Sequence, residues 1–198
     1  MALREDQVVR YSRQILLREI GGRGQEQLLA TSVIARSGGA AIGTAAAYLA
    51  ASGVAVLLAD GRLVEPSEAG LLTTAADAGS PATEVVGRAI QDVNPDAAGP
   101  QEPWVWLGEA PAPPPEWPLP RLVMGGTEAG AAIVFGRSAA DWEHLWRQAP
   151  SRAVPAELAD EVGALAALII QRWVLGIEPE AGRVEVDSAG VARLAAGS

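Results

Sequence analysis

Hydrophobic positions in residues 1–30 recur at helical spacing and predict a helical arm. The apolar stripe comprises Val8, Tyr11, Ile15 and Leu16. The pair Gly21-Gly22 is predicted to end this helix, and a shorter helix is predicted over 25–29.

Residues 31–96 alternate between apolar runs and alanine-rich segments, and they predict a β-α-β core. The run 32–36 predicts a first strand and 54–59 a second, with a helix between them. A further helix is predicted to start at Ser80 and to stop before Pro95. Units of this length join neighbouring parallel strands, so we expect a parallel sheet.

The second half of the chain begins with a connector over 97–120, which carries six prolines between 111 and 120. Proline lacks the backbone N–H that helices and central strands require, so we predict an ordered or semi-rigid connector with a short strand over 104–107. Further elements are predicted over 121–198: strands at 122–124 and 131–135, a long helix at 156–175, and a hairpin of 183–186 with 191–194.

These elements predict a single domain of the α/β class. A chain of 198 residues with 49% hydrophobic residues is long enough to bury one sizeable core, so we expect one domain over 1–198. The expected architecture is a reduced Rossmann-like sheet flanked by helices, with a C-terminal β-hairpin.

Charge and composition narrow the chemistry. The formal net charge is −9 and all 15 basic residues are arginine, so we expect no binding to nucleic acid or to anionic membrane surfaces. The chain has no cysteine and a single histidine, which leaves little for a transition-metal site and nothing for a thioester. Any contact to phosphate would use arginine, serine or backbone amides.

One uncharged run, 38–59, is long enough to raise the question of a membrane span. Small residues dominate it and Ser52-Gly53 interrupts it, so we interpret it as a buried helix followed by a buried strand. The charged start of the chain does not resemble a secretory signal, and we expect a cytoplasmic protein.

The turn after the first predicted strand is glycine-rich, and Asp60 follows the second strand. A helix N-terminus at such a turn holds phosphate, and an acid at the tip of the next strand binds ribose hydroxyls. In one register of GxGxxG only Gly39 stands at a glycine position. The register shifted by one recovers Gly38 and Gly43 but places Ala40 at the centre. These residues predict a weak nucleotide site, and the alternative is a turn that only packs a helix on a strand.

The segment RYSRQILLREIGGRGQEQLL at 10–29 resembles the N-terminal signature of the ThiF/MoeB/HesA family, the bacterial relatives of ubiquitin-activating enzymes. The resemblance continues through YLAASGV, ADGRLVEPSE, GSPA and DVNPD, and resumes at RLVMGGTEAGAAIVF and GRVEVDSAGVARL. It implies an enzyme that uses ATP to adenylate the C-terminal glycine of a small ubiquitin-like or sulfur-carrier protein, and that works as a dimer.

Several positions depart from the pattern of that family. The resemblance assigns Asp60 to adenine and ribose, but the family's second acid falls on Arg62 and its asparagine on Glu68. Its lysine, its arginine and its glutamine fall on Ala82, Leu71 and Leu72. We find no counterpart of the strand that ends in D-x-x-D-N, where the proline-rich stretch stands instead, nor of the paired C-x-x-C. Because phosphoryl chemistry depends on cations and metal ligands, we expect no adenylation by this chain alone.

Arg13 retains a feature of the family. In the family's dimers the second arginine of R-Y-x-R-Q reaches the neighbour's nucleotide, so Arg13 could act as an arginine finger for an intact partner. The alternative is that Arg10 and Arg13 form only surface or interface ion pairs.

Aromatic residues are concentrated in the region that replaces the family's catalytic strand. Five of the six tryptophans lie there: Trp104, Trp106, Trp117, Trp142 and Trp146. They could line an aromatic groove for a peptide or carrier tail, or fill the core around a shortened sheet. His144, between acidic residues, could act as a general base or lie on a solvated helix face.

The hypothesis that combines these features is a ThiF/MoeB-like pseudoenzyme that acts as a scaffold or accessory subunit. It would form a homodimer, or a heterodimer with a catalytically complete paralogue, and would bind a partner enzyme, a carrier protein or a peptide. No cofactor and no metal are expected. The rival hypothesis is a divergent enzyme that still binds ATP or another small ligand at Gly38, Gly39, Gly43 and Asp60.

Overall fold

The computed structural model describes residues 2–36, 39–59, 61–97, 104–110, 120–147, 149–177 and 181–194. Within these ranges the chain forms a sheet of seven strands in the order β2-β1-β3-β4-β5-β6-β7. The strands are β1 (Ser32–Arg36), β2 (Ala55–Leu58), β3 (Val105–Glu109), β4 (Arg121–Gly126), β5 (Gly130–Gly136), β6 (Ala181–Asp187) and β7 (Ala192–Leu194). The α/β class expected from the sequence is confirmed.

The first four strands are parallel. β1 lies between β2 and β3, with Val33 paired to Val56 on one side and to Val105 on the other. β3 pairs in turn with β4, so that Leu107 lies opposite Leu122. β1 is therefore a central strand with hydrogen-bonded neighbours on both sides, which explains its nearly continuous apolar run.

The other strands are antiparallel. β5 pairs with β4 and with β6, and β6 and β7 form the C-terminal hairpin. The carboxylate of Asp187 accepts hydrogen bonds from the N–H groups of Ala189 and Val191, which closes the turn of this hairpin. The hairpin predicted from the sequence is confirmed.

Helices cover both faces of the sheet. In the described ranges they are α1 (Glu5–Arg10), α2 (Ser12–Ile15), α3 (Gly21–Leu29), α4 (Ala40–Ala51), α5 (Ala82–Val93), α6 (Ala139–Trp146) and α7 (Ala159–Val174). Short 3-10 turns lie at Pro66–Glu68, Ala75–Asp77, Pro95–Ala97 and Ala156–Leu158. The helices α4, α5 and α7 share one core with one face of the sheet, and α6 packs on the other face.

The helices α4 and α7 approach each other closely because small residues lie where they cross. A Cβ on Gly163 would come within 2.5 Å of the carbonyl oxygen of Ala41. At the same crossing the hydroxyl of Thr44 donates a 2.7 Å hydrogen bond to Asp160. The described part of the small-residue run, 39–59, thus contains the helix α4 and the strand β2. None of the helices described here is both long and apolar enough to cross a membrane.

The N-terminal arm consists of two short helices, not the single long helix that the sequence predicts. Tyr11 lies between α1 and α2 and is 1% exposed. The predicted stripe does not form one buried face, because Val8 is 45% exposed and Leu16 is 84% exposed. The prediction that Gly21-Gly22 ends a helix is wrong. Gly21 adopts a φ of +58°, which redirects the chain at the start of α3.

Asp96, just after α5, fastens the arm to the core. Its carboxylate accepts hydrogen bonds from Arg4 at 2.7 Å, Gln7 at 3.1 Å and Tyr11 at 3.3 Å, and Arg10 lies 3.5 Å away. Burial alone would raise the pKa of Asp96. The hydrogen bonds and the neighbouring arginine charge outweigh that effect and hold the pKa of this carboxyl below its usual range.

We expect Asp96→Asn to lower the free energy of unfolding at neutral pH by about 1 to 3 kcal/mol, because it weakens charged hydrogen bonds in a mostly buried site. A carboxyl whose pKa is lowered by folding contributes stability above its unfolded pKa, and the contribution is lost as the pH falls through the folded pKa. Urea unfolding should therefore show a difference from wild type at neutral pH that disappears in acid.

The matched control for this prediction is Asp92→Asn, at an exposed position of α5. It removes the same charge without touching the arm, and its stability should stay close to wild type. Equal losses of stability in the two variants would contradict the role assigned to Asp96.

Candidate functional site

A crevice lies beyond the carboxyl ends of β1 and β3, at the N-terminus of α4. The chain leaves β1 through α4 towards β2, whereas β3 lies on the other side of β1. Connections that diverge in this way leave an opening at the strand ends, where open α/β sheets hold their ligands. Gly39, from the glycine-rich turn noted in the sequence, lines a cavity in this crevice.

Two of the four residues predicted for nucleotide binding are in the described part of the chain. Gly39 is the N-cap residue of α4, with an extended backbone, and Gly43 follows in the same helix. The structure brings both to the wall of one cavity. Gly38 and Asp60 lie outside the described residues, so their part in the predicted site stays a prediction.

The cavity that the described residues line in this crevice is small. The cavity beside Gly39 and Gly43 has a volume of about 30 Å³, and its walls also include Ile42, Leu58 and Val86. Pockets for small ligands have volumes of roughly 300 Å³ or more, and about 30 Å³ is the share of one water molecule in the liquid. The cavity that these described residues line is therefore far smaller than a pocket for a nucleotide.

An ion pair crosses the crevice at two positions that depart from the family pattern. Arg62, which stands where an acid is expected, lies 2.5 Å from the carboxylate of Glu68, which stands where an asparagine is expected. The Glu68 side chain is 9% exposed. Its second oxygen accepts a hydrogen bond from the N–H of Glu65, and the hydroxyl of Thr73 donates to its carbonyl oxygen. The two departures therefore compensate each other's charge.

Apolar side chains fill the space beside this ion pair. Ala82, at the position of the family's lysine, is 2% exposed and packs with Val64 and Val85. Leu72, at the position of its glutamine, is 6% exposed, whereas Leu71 is 58% exposed. Buried apolar residues thus stand at two positions where the resemblance implies polar groups.

The strand β3 lies before the proline-rich stretch. Val105–Glu109 forms a central parallel strand between β1 and β4 and ends in a single acid, and the D-x-x-D-N motif does not follow it. Glu109 stands at its carboxyl end and is 4% exposed. The strand predicted over 104–107 is confirmed but continues to Glu109. The available signal was an apolar run that ends in a single acid just before the proline-rich stretch.

The carboxyl group of Glu109 lies over the glycine turn. A Cβ on Gly39 would collide with Oε2 of Glu109 and come within 2.9 Å of Oε1. Oε1 accepts a 2.9 Å hydrogen bond from the N–H of Val154, whereas Oε2 is buried and accepts none from the described residues. Burial raises the pKa of Glu109, and the charge of Glu68 adds to this, while the Val154 N–H and Arg62 oppose it.

The two arginines of the N-terminal signature have different surroundings. Arg10 forms an ion pair with Asp96, as expected of a surface arginine. Arg13 lies on α2 with its side chain exposed and forms no ion pair with the residues that the structure describes. Arg13 therefore points to solvent, next to the exposed Leu16.

The tryptophans after β2 fill space between elements. Trp106 is 1% exposed and Trp142 is 4% exposed, and they form a cluster with Val123 and Val134 between the sheet and α6. Trp104 is partly buried beneath the guanidinium of Arg137, and Trp146 packs against Trp142 at 5.5 Å. Trp117 and the side chain of His144 lie outside the described parts of the chain. Trp106 and Trp142 are thus core residues, whereas Trp146 is 39% exposed, and the aromatic groove stays a prediction.

The topology and the crevice define the class of this protein. A parallel β-α-β core, with a glycine at the N-terminus of its first long helix and an antiparallel extension of the sheet, is a Rossmann-like α/β fold. A sequence profile of the ThiF family matches residues 11–99. Over these residues the chain carries a ThiF-family segment.

One relative with a described activity is the adenylyltransferase and sulfurtransferase MOCS3 of Mus musculus, to which the chain is 48% identical over 67 residues. The match spans 33% of this chain and 15% of the length of that relative. It therefore concerns one segment of a much longer protein.

Solved structures share the fold over nearly the whole chain. E. coli MccB in complex with AMPCPP and MccA superimposes with a TM-score of 0.72 at 17% identity, covering 94% of this chain and 70% of that one. PaaA superimposes with a TM-score of 0.70 at 17% identity, covering 98% of this chain and 84% of that one. At these identities the likeness establishes the fold.

We expect Glu109→Gln to raise the Tm at neutral and alkaline pH, because the amide keeps an acceptor for the Val154 N–H and removes a buried charge. A carboxyl whose pKa is raised by folding contributes stability that is fully present below its unfolded pKa and is lost as the pH rises through the folded pKa. Calorimetry from acid to alkaline pH should therefore show that the Tm of wild type falls more steeply with rising pH than the Tm of the variant.

The control for this measurement is Glu84→Gln, at an exposed position of α5. Its Tm should follow that of wild type at every pH. A Glu109→Gln protein that is less stable than wild type at alkaline pH would show that the charged form of Glu109 is favoured in the fold.

Proposed function

We propose that this ThiF-family protein does not adenylate a substrate and acts instead by binding, as a scaffold or accessory subunit for a partner enzyme, a carrier protein or a peptide. The observation that carries the proposal is the closed crevice. Its cavity measures about 30 Å³, and the ion pair of Arg62 with Glu68 crosses it. The fold and the N-terminal arm are present, and the described residues beside Gly39 line only this small cavity, which supports the proposal.

Charge as well as volume opposes a triphosphate in this position. Adenylation requires cations that hold the triphosphate and compensate the charge that develops on it. The chain contains no lysine, and the guanidinium of Arg62 is engaged by Glu68. Glu109 brings a further carboxyl group to the N-terminus of α4, where a phosphate would otherwise lie.

We propose the N-terminal arm as the surface that meets the partner. The Asp96 network fixes α1 and α2 against the core, while Arg13 and Leu16 stay exposed, Leu16 at 84%. The proposed partner is a second ThiF-family chain, either another copy or a catalytically complete paralogue. In that assembly Arg13 would supply a cation to the partner's nucleotide. The similarity to MOCS3, an adenylyltransferase, and to MccB, crystallised with MccA, supports this setting.

The second candidate is a divergent enzyme that still binds a nucleotide or another small ligand in the altered crevice. The observation in its favour is the fold, because MccB has been crystallised with ATP and superimposes on this chain with a TM-score of 0.72. This candidate requires that Arg62 and Glu68 separate when the ligand enters.

We expect the purified chain to catalyse no exchange between ATP and pyrophosphate, and its Tm to stay unchanged on addition of ATP and magnesium, because a ligand stabilises only the state that binds it. The exchange of labelled pyrophosphate into ATP and the melting curve are measured on the same preparation. An intact ThiF-family adenylyltransferase is the positive control. Exchange above background, or a rise in Tm that depends on ATP, would favour the divergent enzyme.

We expect Leu16→Glu to weaken assembly with the ThiF-family partner, because the substitution places a charge in an apolar contact. Native mass spectrometry measures the fraction of assembled protein. Val191→Glu is the control, since Val191 is 48% exposed in the C-terminal hairpin, away from the arm.

Arg13→Ala should leave the assembly intact and lower the partner's turnover by about 1,000-fold or more if the residue acts in trans. Loss of assembly in the Val191 variant alone would place the contact elsewhere.

A further inference from the structure

The N-terminus of α4 has no capping side chain of its own. Its N-cap residue is Gly39, and its first turn contains no acidic residue. The first N–H groups of a helix have no partners within the helix, and the aligned peptide dipoles add a partial positive charge there. A terminus of this kind, on a helix of twelve residues, attracts an anion.

Glu109 brings a carboxyl group to this terminus from the end of β3. The group takes the space that a side chain at position 39 would fill, so that only glycine at that position allows the approach. Oε1 is held by the N–H of Val154, and Oε2 is buried without a hydrogen bond from the described residues. Burying an acceptor without a hydrogen-bond partner costs free energy. The position of Oε2 of Glu109 therefore lowers the stability of the folded protein.

We infer that the carboxyl group of Glu109 occupies a phosphate subsite of the crevice as a built-in ligand, and that its removal opens the N-terminus of α4 to inorganic phosphate. The inference rests on the proposed function, in which the wild-type chain binds no nucleotide. Two groups would then keep a nucleotide out of the crevice. The carboxyl group of Glu109 blocks the phosphate subsite at Gly39, and the ion pair of Arg62 with Glu68 blocks the space beside β2. With Glu109 removed, the N–H of Val154 joins the first-turn amides of α4 as a donor to the anion.

The test is isothermal titration of inorganic phosphate into four proteins at constant ionic strength: wild type, Glu109→Ala, Glu109→Gln and the control Glu84→Ala. Glu109→Ala should bind phosphate with a Kd in the millimolar range. Wild type and Glu84→Ala should show no binding, and neither should Glu109→Gln, whose amide keeps the shape of the side chain. Binding of phosphate to Glu109→Gln or to wild type would overturn the inference, and so would its absence in a folded Glu109→Ala protein.

A coupling measurement keeps the inference testable if Glu109→Ala does not fold. Gly39→Ala should destabilise wild type, because its Cβ collides with the carboxyl group, and should cost much less in a Glu109→Ser background, which keeps a small acceptor. Equal losses of stability from Gly39→Ala in the two backgrounds would show that position 39 does not contact Glu109, and this result would overturn the inference.

The inference and the proposed function fail in different ways. Binding of ATP by wild type would defeat the proposed function, whatever the variants do. Failure of a folded Glu109→Ala protein to bind phosphate would defeat only the inference. A rise in the Tm of wild type with magnesium alone, absent in Glu109→Gln, would assign Glu109 to a metal and would also overturn the inference.

Discussion

Arg62 and Glu68 form an ion pair in the wall of the small cavity beside Gly39, at the N-terminal part of α4. Their side chains are 30% and 9% exposed, so either charge left alone would be only partly solvated. Each residue therefore needs the opposite charge of the other to offset its own. The pair also fixes the segment after β2, because Glu68 accepts the N–H of Glu65 and its carbonyl oxygen accepts the hydroxyl of Thr73. Buried apolar residues around the pair, among them Val64 and Ala82, complete this wall of the small cavity.

The likeness to the ThiF family rests in part on residues outside the small cavity and its ion pair. Tyr11 belongs to the N-terminal signature, and Asn94 and Asp96 belong to the motif at the end of α5. These residues are bonded to one another: Asn94 donates to the hydroxyl of Tyr11 at 2.7 Å, and that hydroxyl lies 3.3 Å from Asp96. The two motifs therefore fasten the arm to the core. A chain can keep them for folding and assembly while the residues between them change.

Regular elements with strong local patterns could be predicted from the sequence. The strand at 32–36, the helix before Pro95 and the C-terminal hairpin follow from hydrophobic periodicity and from turn residues, and all three are found. The break in the arm could not be predicted, because Tyr11 is held by Asp96, 85 residues away. Local spacing carries no information about such a contact.

The candidate site was predictable in part. Arg62 and Glu68 stand out in the sequence as departures from the family pattern, but only the structure shows that they bind each other. Glu109 was missed because a single acid before a proline-rich stretch looks like a solvated loop residue. Its burial depends on β4 and on Val154, 45 residues further on. Gly39 was identified as a residue that permits close approach, and the group that approaches is a carboxyl group of the protein itself.

The central claim is that this crevice stays closed to nucleotides. It is tested most directly by a crystal structure of the chain grown with excess ATP and magnesium. We expect the ion pair of Arg62 with Glu68 and the carboxyl group of Glu109 over Gly39 to be unchanged, with no nucleotide in the crevice. A nucleotide seated there, with the ion pair opened and its phosphates at the N-terminus of α4, would contradict the account.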